Sequence, residues 1–493
     1  MASYSVELKL NTRKLSDRNY LDNYFVEVAK ISNTVRRFTI RQLNLLRRNP
    51  EYKRLLSQYN GLKKGEDKSE LSGKLYDIVS SYGLTKYGLQ KCALGLRKKL
   101  KYVHSDVYQK ICDFVWKGTE KVLYSGGKQI HYKKWDEFLS FENKKNSTGI
   151  IHENGKVYIN CTPKRPGGGI VLDVMMPNNR KSSHFNYESQ CLMDKTKYCR
   201  IVRKKFNTGW KYYVQLVQEG IPPQRHAVGT GRIGIDIGTS TIAAVSDTKC
   251  HLDTIGDTVR QQDKEISLLN RKLDRSRRKM NPDNYNSEGT IRKGKKHWVY
   301  SNRYKKLKNE LQCMKRKRAA TIKQWQSAYA SRLLEEGNVV YVEKMNFSGL
   351  GKRSKNTERD KNGRYKSKKR FGKSISVRAP AQLLSIIKRK LKYVGGTYHE
   401  VNTRTFRASQ YNHVTDTYIK KKLSKRYNEI DGEWVQRDLY SAFLLKNSDD
   451  TLNHTNRQLC ILNYDNFKTN HDSCIKEILD SDKHIPKSFG ISR

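Results

Sequence analysis

Acidic residues are scarce: 48 Asp and Glu stand against 99 Lys and Arg in 493 residues. The formal net charge is +51. A chain so charged repels itself unless a polyanion neutralises it, and nucleic acid is the obvious candidate. Long apolar runs are missing as well. No stretch of 18 apolar residues and no lipid-anchor signal occurs, which argues against a membrane partner. The opening Met-Ala-Ser-Tyr-Ser lacks a signal-peptide core, so a cytosolic or nuclear protein is expected. The nine cysteines form no C-x-x-C pair, and the closest two are Cys191 and Cys199. Neither disulfides nor a zinc site is expected. There is no internal repeat. A chain of this length should divide into two to four domains, because single cores rarely grow past about 250–300 residues.

What is present changes texture along the chain. Residues 3–10 alternate through Tyr4, Val6, Leu8 and Leu10 and predict a strand. From about Ser16 to Leu100 the pattern is helical, with breaks at Pro50, Gly61 and Gly65, and it resumes through Tyr108–Trp116. From Lys121 to Ile221 short strands follow. Asn154-Gly155 signals a type I′ hairpin, and Tyr198–Phe206 with Trp210–Gln218 a second. Together with strand 3–10 these could close a small β-barrel. Pro222-Pro223 marks a linker.

Beyond it, Gln262–Met280 and His297–Glu336 predict two helices rich in Lys and Arg. Arg271, Lys272, Arg275, Arg277 and Arg278 are the candidates for phosphate contacts. Most of the interleaved aromatics are assigned to core packing. Residues 351–373 carry eleven Lys/Arg, two acids and almost nothing apolar, which predicts a flexible charged loop close to nucleic acid. The last fifty residues are charge-balanced, with seven acids and seven Lys/Arg; no role is legible in them.

The stretch Gly231–Ser246 predicts a buried strand, a single acid, Asp236, at a tight turn, and a second strand. Burying a carboxylate is costly unless it is paired or holds a metal. Glu343, in Val339-Val-Tyr-Val-Glu, and Asp438, in Val435-Gln-Arg-Asp-Leu, are likewise flanked by apolar residues. Singly, Asp236 could be a turn residue, Glu343 an edge-strand charge, and Asp438 a first-turn helix acid favoured by the dipole. Together, in that order, they predict the layout of an RNase H-like nuclease core. Three carboxylates can hold two Mg2+ ions about 4 Å apart that clamp the attacking water and the leaving oxygen of a phosphodiester. That chemistry needs no Ser/His or Cys/His nucleophile.

Two resemblances follow from these motifs. Gly234-Ile-Asp-Ile-Gly-Thr-Ser-Thr241 resembles the first phosphate loop of sugar-kinase and actin-like ATPases, but the second loop they require has as its nearest candidate Val394-Gly-Gly-Thr-Tyr398, which lacks the acid. The stronger resemblance is to the RuvC-bearing TnpB proteins and their relatives, the compact type V CRISPR effectors. It spans about Arg232 to Asn447, through Gly234-Ile-Asp-Ile-Gly238, Val342-Glu-Lys-Met-Asn346, and Arg437-Asp438 with Ala442. The segment Leu273–Tyr285, with Trp298 and Tyr304–Leu307, resembles the helices between the first two motifs.

The resemblance implies a multidomain α+β protein: an RNase H-like (RuvC) α/β nuclease core, a β-barrel wedge and an inserted helical recognition domain. The expected boundaries are 1–12 and 121–230 for the wedge, 13–120 for the recognition domain, and 231–402 with 436–450 for the core. Residues 403–435 form an insertion and 451–493 a tail. It further implies RNA-guided cleavage of DNA in the prokaryotic cytoplasm. The partners would be a guide RNA, target double-stranded DNA and its displaced strand, and Asp236, Glu343 and Asp438 would be the ligands of Mg2+, for which Mn2+ could substitute. Relatives carry two C-x-x-C pairs between the last strand and the third acid. The interval Thr403–Gln436 here has no cysteine, so by analogy it would be a basic lid, with Lys425, Arg426 and Arg437 near phosphates. A guide-directed binder that does not cut, and a nuclease or transposase without a guide, are the alternatives.

Overall fold

The computed structural model describes residues 2–63, 65–99, 102–352, 356, 358, 371–422, 424–482 and 484–491. Most of the basic stretch 351–373 therefore lies outside the described residues. The chain forms two compact units, Met1–Pro223 and Gln224–Arg493. No helix among the described residues is long and apolar enough to cross a membrane.

In the first unit, strand β1 (Ser3–Leu10) buries Tyr4, Val6, Leu8 and Leu10 and exposes the residues between them. Helices α1 (Leu15–Leu46), α2 (Pro50–Gly61), α3 (Ser69–Ser81), α4 (Lys86–Lys99) and α5 (Ser105–Tyr124) follow. Helix α2 starts where Pro50 needs no backbone donor, capped by Asn49 accepting from the Tyr52 amide at 2.9 Å. Then come β2 (Ser140–Glu142), β3 (Ile150–Glu153), β4 (Lys156–Ile159), β5 (Ile170–Met175), helix α6 (Ser183–Met193), β6 (Thr196–Phe206) and β7 (Gly209–Glu219). Asn154 and Gly155 both have positive φ, 48° and 71°, as the type I′ turn between β3 and β4 demands.

The seven strands run in the order β2-β6-β7-β1-β5-β4-β3. The expected barrel is a sheet that curls without closing into a ladder. Its two edges are consecutive in the chain, and the loop 143–149 between them interrupts the pairing with β6. Side chains bridge that seam: Asn143 accepts from the Cys199 amide at 2.9 Å and donates to the Ile150 carbonyl at 2.5 Å.

The second unit is built on β8 (Arg232–Ile237), β9 (Thr241–Val245) and β10 (Cys250–Thr254), then helices α7 (Arg260–Met280) and α8 (Asn302–Glu336) and strand β11 (Val339–Glu343). Short helices α9 (Phe347–Leu350) and α10 (Gly372–Arg378) precede α11 (Pro380–Tyr393) and β12 (Thr397–Val401). The sheet order is β10-β9-β8-β11-β12, with β8, β11 and β12 parallel and β9 antiparallel to both β8 and β10. The expected second helix begins later than His297. Residues 297–299 are instead tied to the end of α7, where Asn281 exchanges two hydrogen bonds with Val299, and Ser301 then caps α8.

Both faces of the sheet are covered, as a mainly parallel sheet requires. Ile233, Ile235, Ile237, Val340 and Val342 pack against Tyr329 and Leu333 of α8 and Leu383 and Ile387 of α11. The other face receives α13 (Arg437–Lys446) and α14 (Arg457–Asp480). Between β12 and α13 lie α12 (Thr403–Phe406) and two small hairpins, β13 (Tyr411–Asn412) with β14 (Thr417–Tyr418) and β15 (Tyr427–Ile430) with β16 (Glu433–Gln436).

The cysteine-free insertion is thus folded around apolar side chains. Phe406, Tyr411, Ile430 and Val435 share a core with Tyr440 and Phe443 of α13, Cys460 and Phe467 of α14, and Phe489. His413 is buried and hydrogen-bonded through Nδ1 to the Tyr440 hydroxyl at 2.8 Å. The charge-balanced tail, whose role was not legible, supplies much of that packing.

Candidate active site

Three elements bring the three acids within electrostatic reach of one another. The parallel register pairs Val342 with Ile235, so Glu343 and Asp236, one residue further on, end neighbouring strands on the same face. Glu343 is not an edge charge: β11 lies between β8 and β12.

The third acid arrives through a glycine. A Cβ at Gly234 would stand 1.9 Å from the Ala442 carbonyl oxygen and 2.4 Å from the Lys446 amide nitrogen. Only glycine lets α13 press its backbone onto β8. Arg232 donates to the Ser448 carbonyl at 3.1 Å, so the helix runs antiparallel to the strand. From Ala442 back to Asp438 is about 6 Å of helix, and from Gly234 on to Asp236 about 7 Å of strand. Asp438 therefore meets Asp236.

The electrostatics agree. Asp236 is raised well above the ordinary carboxylate range, first by burial, then by the charges of Asp438 and Glu343, with Arg437 and Ser441 opposing. Burial also raises Glu343, against Arg437, and Asp438, against Arg426, Arg437 and a hydrogen bond from Gln436. Protein atoms crowd all three carboxylates, yet each keeps part of its surface open to solvent. Among the described residues no three Asp, Glu, His or Cys side chains are already gathered closely enough to hold an ion.

The groove also has unused donors. Buried Nε and Nη1 of Arg437 have no hydrogen-bond partner among the described residues. Asp438 is a first-turn acid of α13, whose N-cap is Gln436, accepting from the Leu439 amide at 2.8 Å.

The expected cationic residues divide. Arg426 and Arg437 act directly on Asp438, and the Arg437 amide donates to the Arg426 carbonyl at 2.9 Å. Lys425 is exposed and acts on Lys421, whose ammonium is pushed down by burial and then by Lys425 and Arg437. Sequence reasoning missed Lys421 and Ser441. Lys421 was one of many lysines in its run, and only the fold sets it apart.

On α7, Arg271, Arg275 and Arg278 form an exposed stripe at i, i+4 and i+7, opposite Ile266, Leu269 and Leu273, which pack on Leu311 of α8. Lys272 is half-buried. Arg277 turns instead onto Trp298 and Tyr285, 5.3 and 6.0 Å from the ring centroids, and pairs with Asp274. Arg278 shares Asp274, at 2.7 Å.

No family model and no curated protein matches the sequence. Among solved structures, a cryo-EM structure of a Cas12f1–sgRNA–target DNA complex has a TM-score of 0.49 at 11% identity, covering 91% of this chain and 99% of that one. The chain is similar to Cas12 effectors. A Cas12f ternary complex (TM-score 0.24, 13% identity, 87% and 82% covered) and a Cas12i1 R-loop complex after target DNA cleavage (0.26, 10%, 80% and 57%) also match. The Cas12 proteins are of the type V class that the motifs resemble.

Proposed function

We propose that the chain is an RNA-guided DNA endonuclease that hydrolyses phosphodiesters with divalent metal at the Asp236–Glu343–Asp438 groove. The observation that carries this is that Asp438 and Glu343, from two other elements, both act by charge on buried Asp236, beside the unsatisfied donors of Arg437. The sheet order, with β9 alone running against the other four strands, supports an RNase H-like core of the RuvC kind.

The donor set fits Mg2+ or Mn2+. Carboxylates are hard oxygen ligands, burial leaves them short of counter-charge, and neither thiol nor imidazole is among the groups that shift them. Asp236, Glu343 and Asp438 would hold the ion. When bound, a divalent cation polarises the phosphoryl oxygen and acidifies a water. Arg437 and Arg426 orient a phosphate oxygen through charge-assisted hydrogen bonds. The remaining cationic surface grips a guide RNA, target duplex and displaced strand, the partners that the motif resemblance implies.

Asp236→Ala should abolish metal-dependent cleavage by protein carrying its RNA while leaving nucleic-acid binding nearly unchanged. Cleavage at the wild-type rate would overturn the site. Sequencing the RNA that co-purifies tests the guide; absence of a discrete RNA would leave a guide-free nuclease.

A further inference from the structure

Trp434 is the most exposed of the six tryptophans, with 60% of its surface open. Its position follows from the hairpin register. Trp434 pairs with Glu429 and Gln436 with Tyr427, so Trp434, Glu429 and Tyr427 share one face of β15–β16, while Asn428, Ile430 and Val435 are buried on the other and Gln436, at the strand end, is buried against the Phe489 carbonyl. Tyr427 meets Trp434 edge-on, with ring centroids 6.4 Å apart.

The hairpin leads into the helix that carries Asp438: Gln436 ends β16 and caps α13, two residues before that acid, and Trp434 lies two residues further back along the strand, about 7 Å from Gln436. Arg426, directly before Tyr427, acts on the same carboxylate. Acid, cation and aromatic surface are therefore carried by one hairpin and the first turn of the helix it enters, where the Arg437 amide donates to the Arg426 carbonyl at 2.9 Å.

We propose that Trp434, with Tyr427 at its edge, is a stacking platform for one base of the single strand whose phosphate enters the acidic groove. Stacking accepts any base, so the platform adds grip and register without sequence preference. Trp434 is a positioning residue: it touches the strand but not the reacting phosphate. The inference rests on the proposed function only for what happens to the strand there, since binding can be read without cleavage.

The test uses the full-length chain in EDTA. A single-stranded oligonucleotide containing 5-iodouridine is photo-crosslinked, and the modified peptides are mapped by mass spectrometry. In parallel, affinities are compared for oligothymidylate and an abasic strand of equal length, for wild type, Trp434→Phe and Trp434→Ala. Expected are a crosslink at Trp434 and a preference for bases over abasic strand that falls about ten-fold in Trp434→Ala and is largely kept in Trp434→Phe. Crosslinks that avoid residues 427–434, or a preference unchanged in Trp434→Ala, would overturn the platform even if the wild type cleaves. A wild type that crosslinks at Trp434 but never cuts DNA would leave the platform standing and remove the nuclease.

Discussion

The two faces of the five-stranded sheet are made from alternate residues of the same strands, yet they are built on different terms. On the face toward α8 and α11, Ile233, Ile235, Ile237, Val340 and Val342 interlock with Leu and Ile side chains. On the face toward α13, the intervening positions of β8 and β11 include Gly234, Asp236, Tyr341 and Glu343. There the helix comes so close that its backbone replaces a side chain at Gly234. One face stabilises by filled volume; the other gives up volume and tolerates crowded like charges so that three acids share a groove. Function is held on the second face by the stability of the first.

The comparison can be broken most severely at its closest contact. Gly234→Ala should destabilise the second unit by ~3 kcal/mol or more, because the added methyl meets helix backbone and not a movable side chain; thermal melting measures it. An unchanged melting temperature would show that α13 does not seat on β8. Ile235→Ala on the opposite face should cost about 2–5 kcal/mol as a buried large-to-small change, with the residual divalent-ion dependence of melting preserved. Loss of ion dependence there would mean the faces are not separable.

Two titrations sharpen the picture, and their signs oppose. His413, packed beneath α13, is lowered from 6.5 to about 4 by burial and then by Arg457. Its neutral form is the folded one, so its stabilising effect is complete above pH 6.5 and is lost as pH falls toward 4, by up to ~3 kcal/mol. Asn at position 413 should flatten that acid limb in pH-dependent melting.

The acids behave in reverse. Their pKa values are raised in the fold, so the metal-free protein gains stability as pH falls through the raised values and loses it as pH rises. Asp236→Asn should therefore raise the melting temperature of EDTA-treated protein at neutral pH by on the order of a few degrees. It should also remove the further rise that Mg2+ produces in the wild type. A variant that melts lower than wild type in EDTA would contradict the crowding of charge.

Local pattern was enough to read β1, the two hairpins of the first unit, helix α7, and the three acids as candidates, because strand alternation, turn chemistry and helical periodicity are short-range properties of the chain. The net charge likewise pointed to a polyanionic partner without any coordinates. Tertiary structure alone decided that Glu343 stands on an interior strand, that Gly234 admits α13, and that Arg277 and Arg278 are drawn onto aromatic rings and Asp274 while Arg271 and Arg275 stay exposed. It also decided that a hairpin without cysteine is held by the aromatic core it shares with α14, with Trp434 left outside. Each of these depends on residues far apart in sequence whose contact energy exists only after the chain has closed around them, and no window of neighbouring residues contains that information.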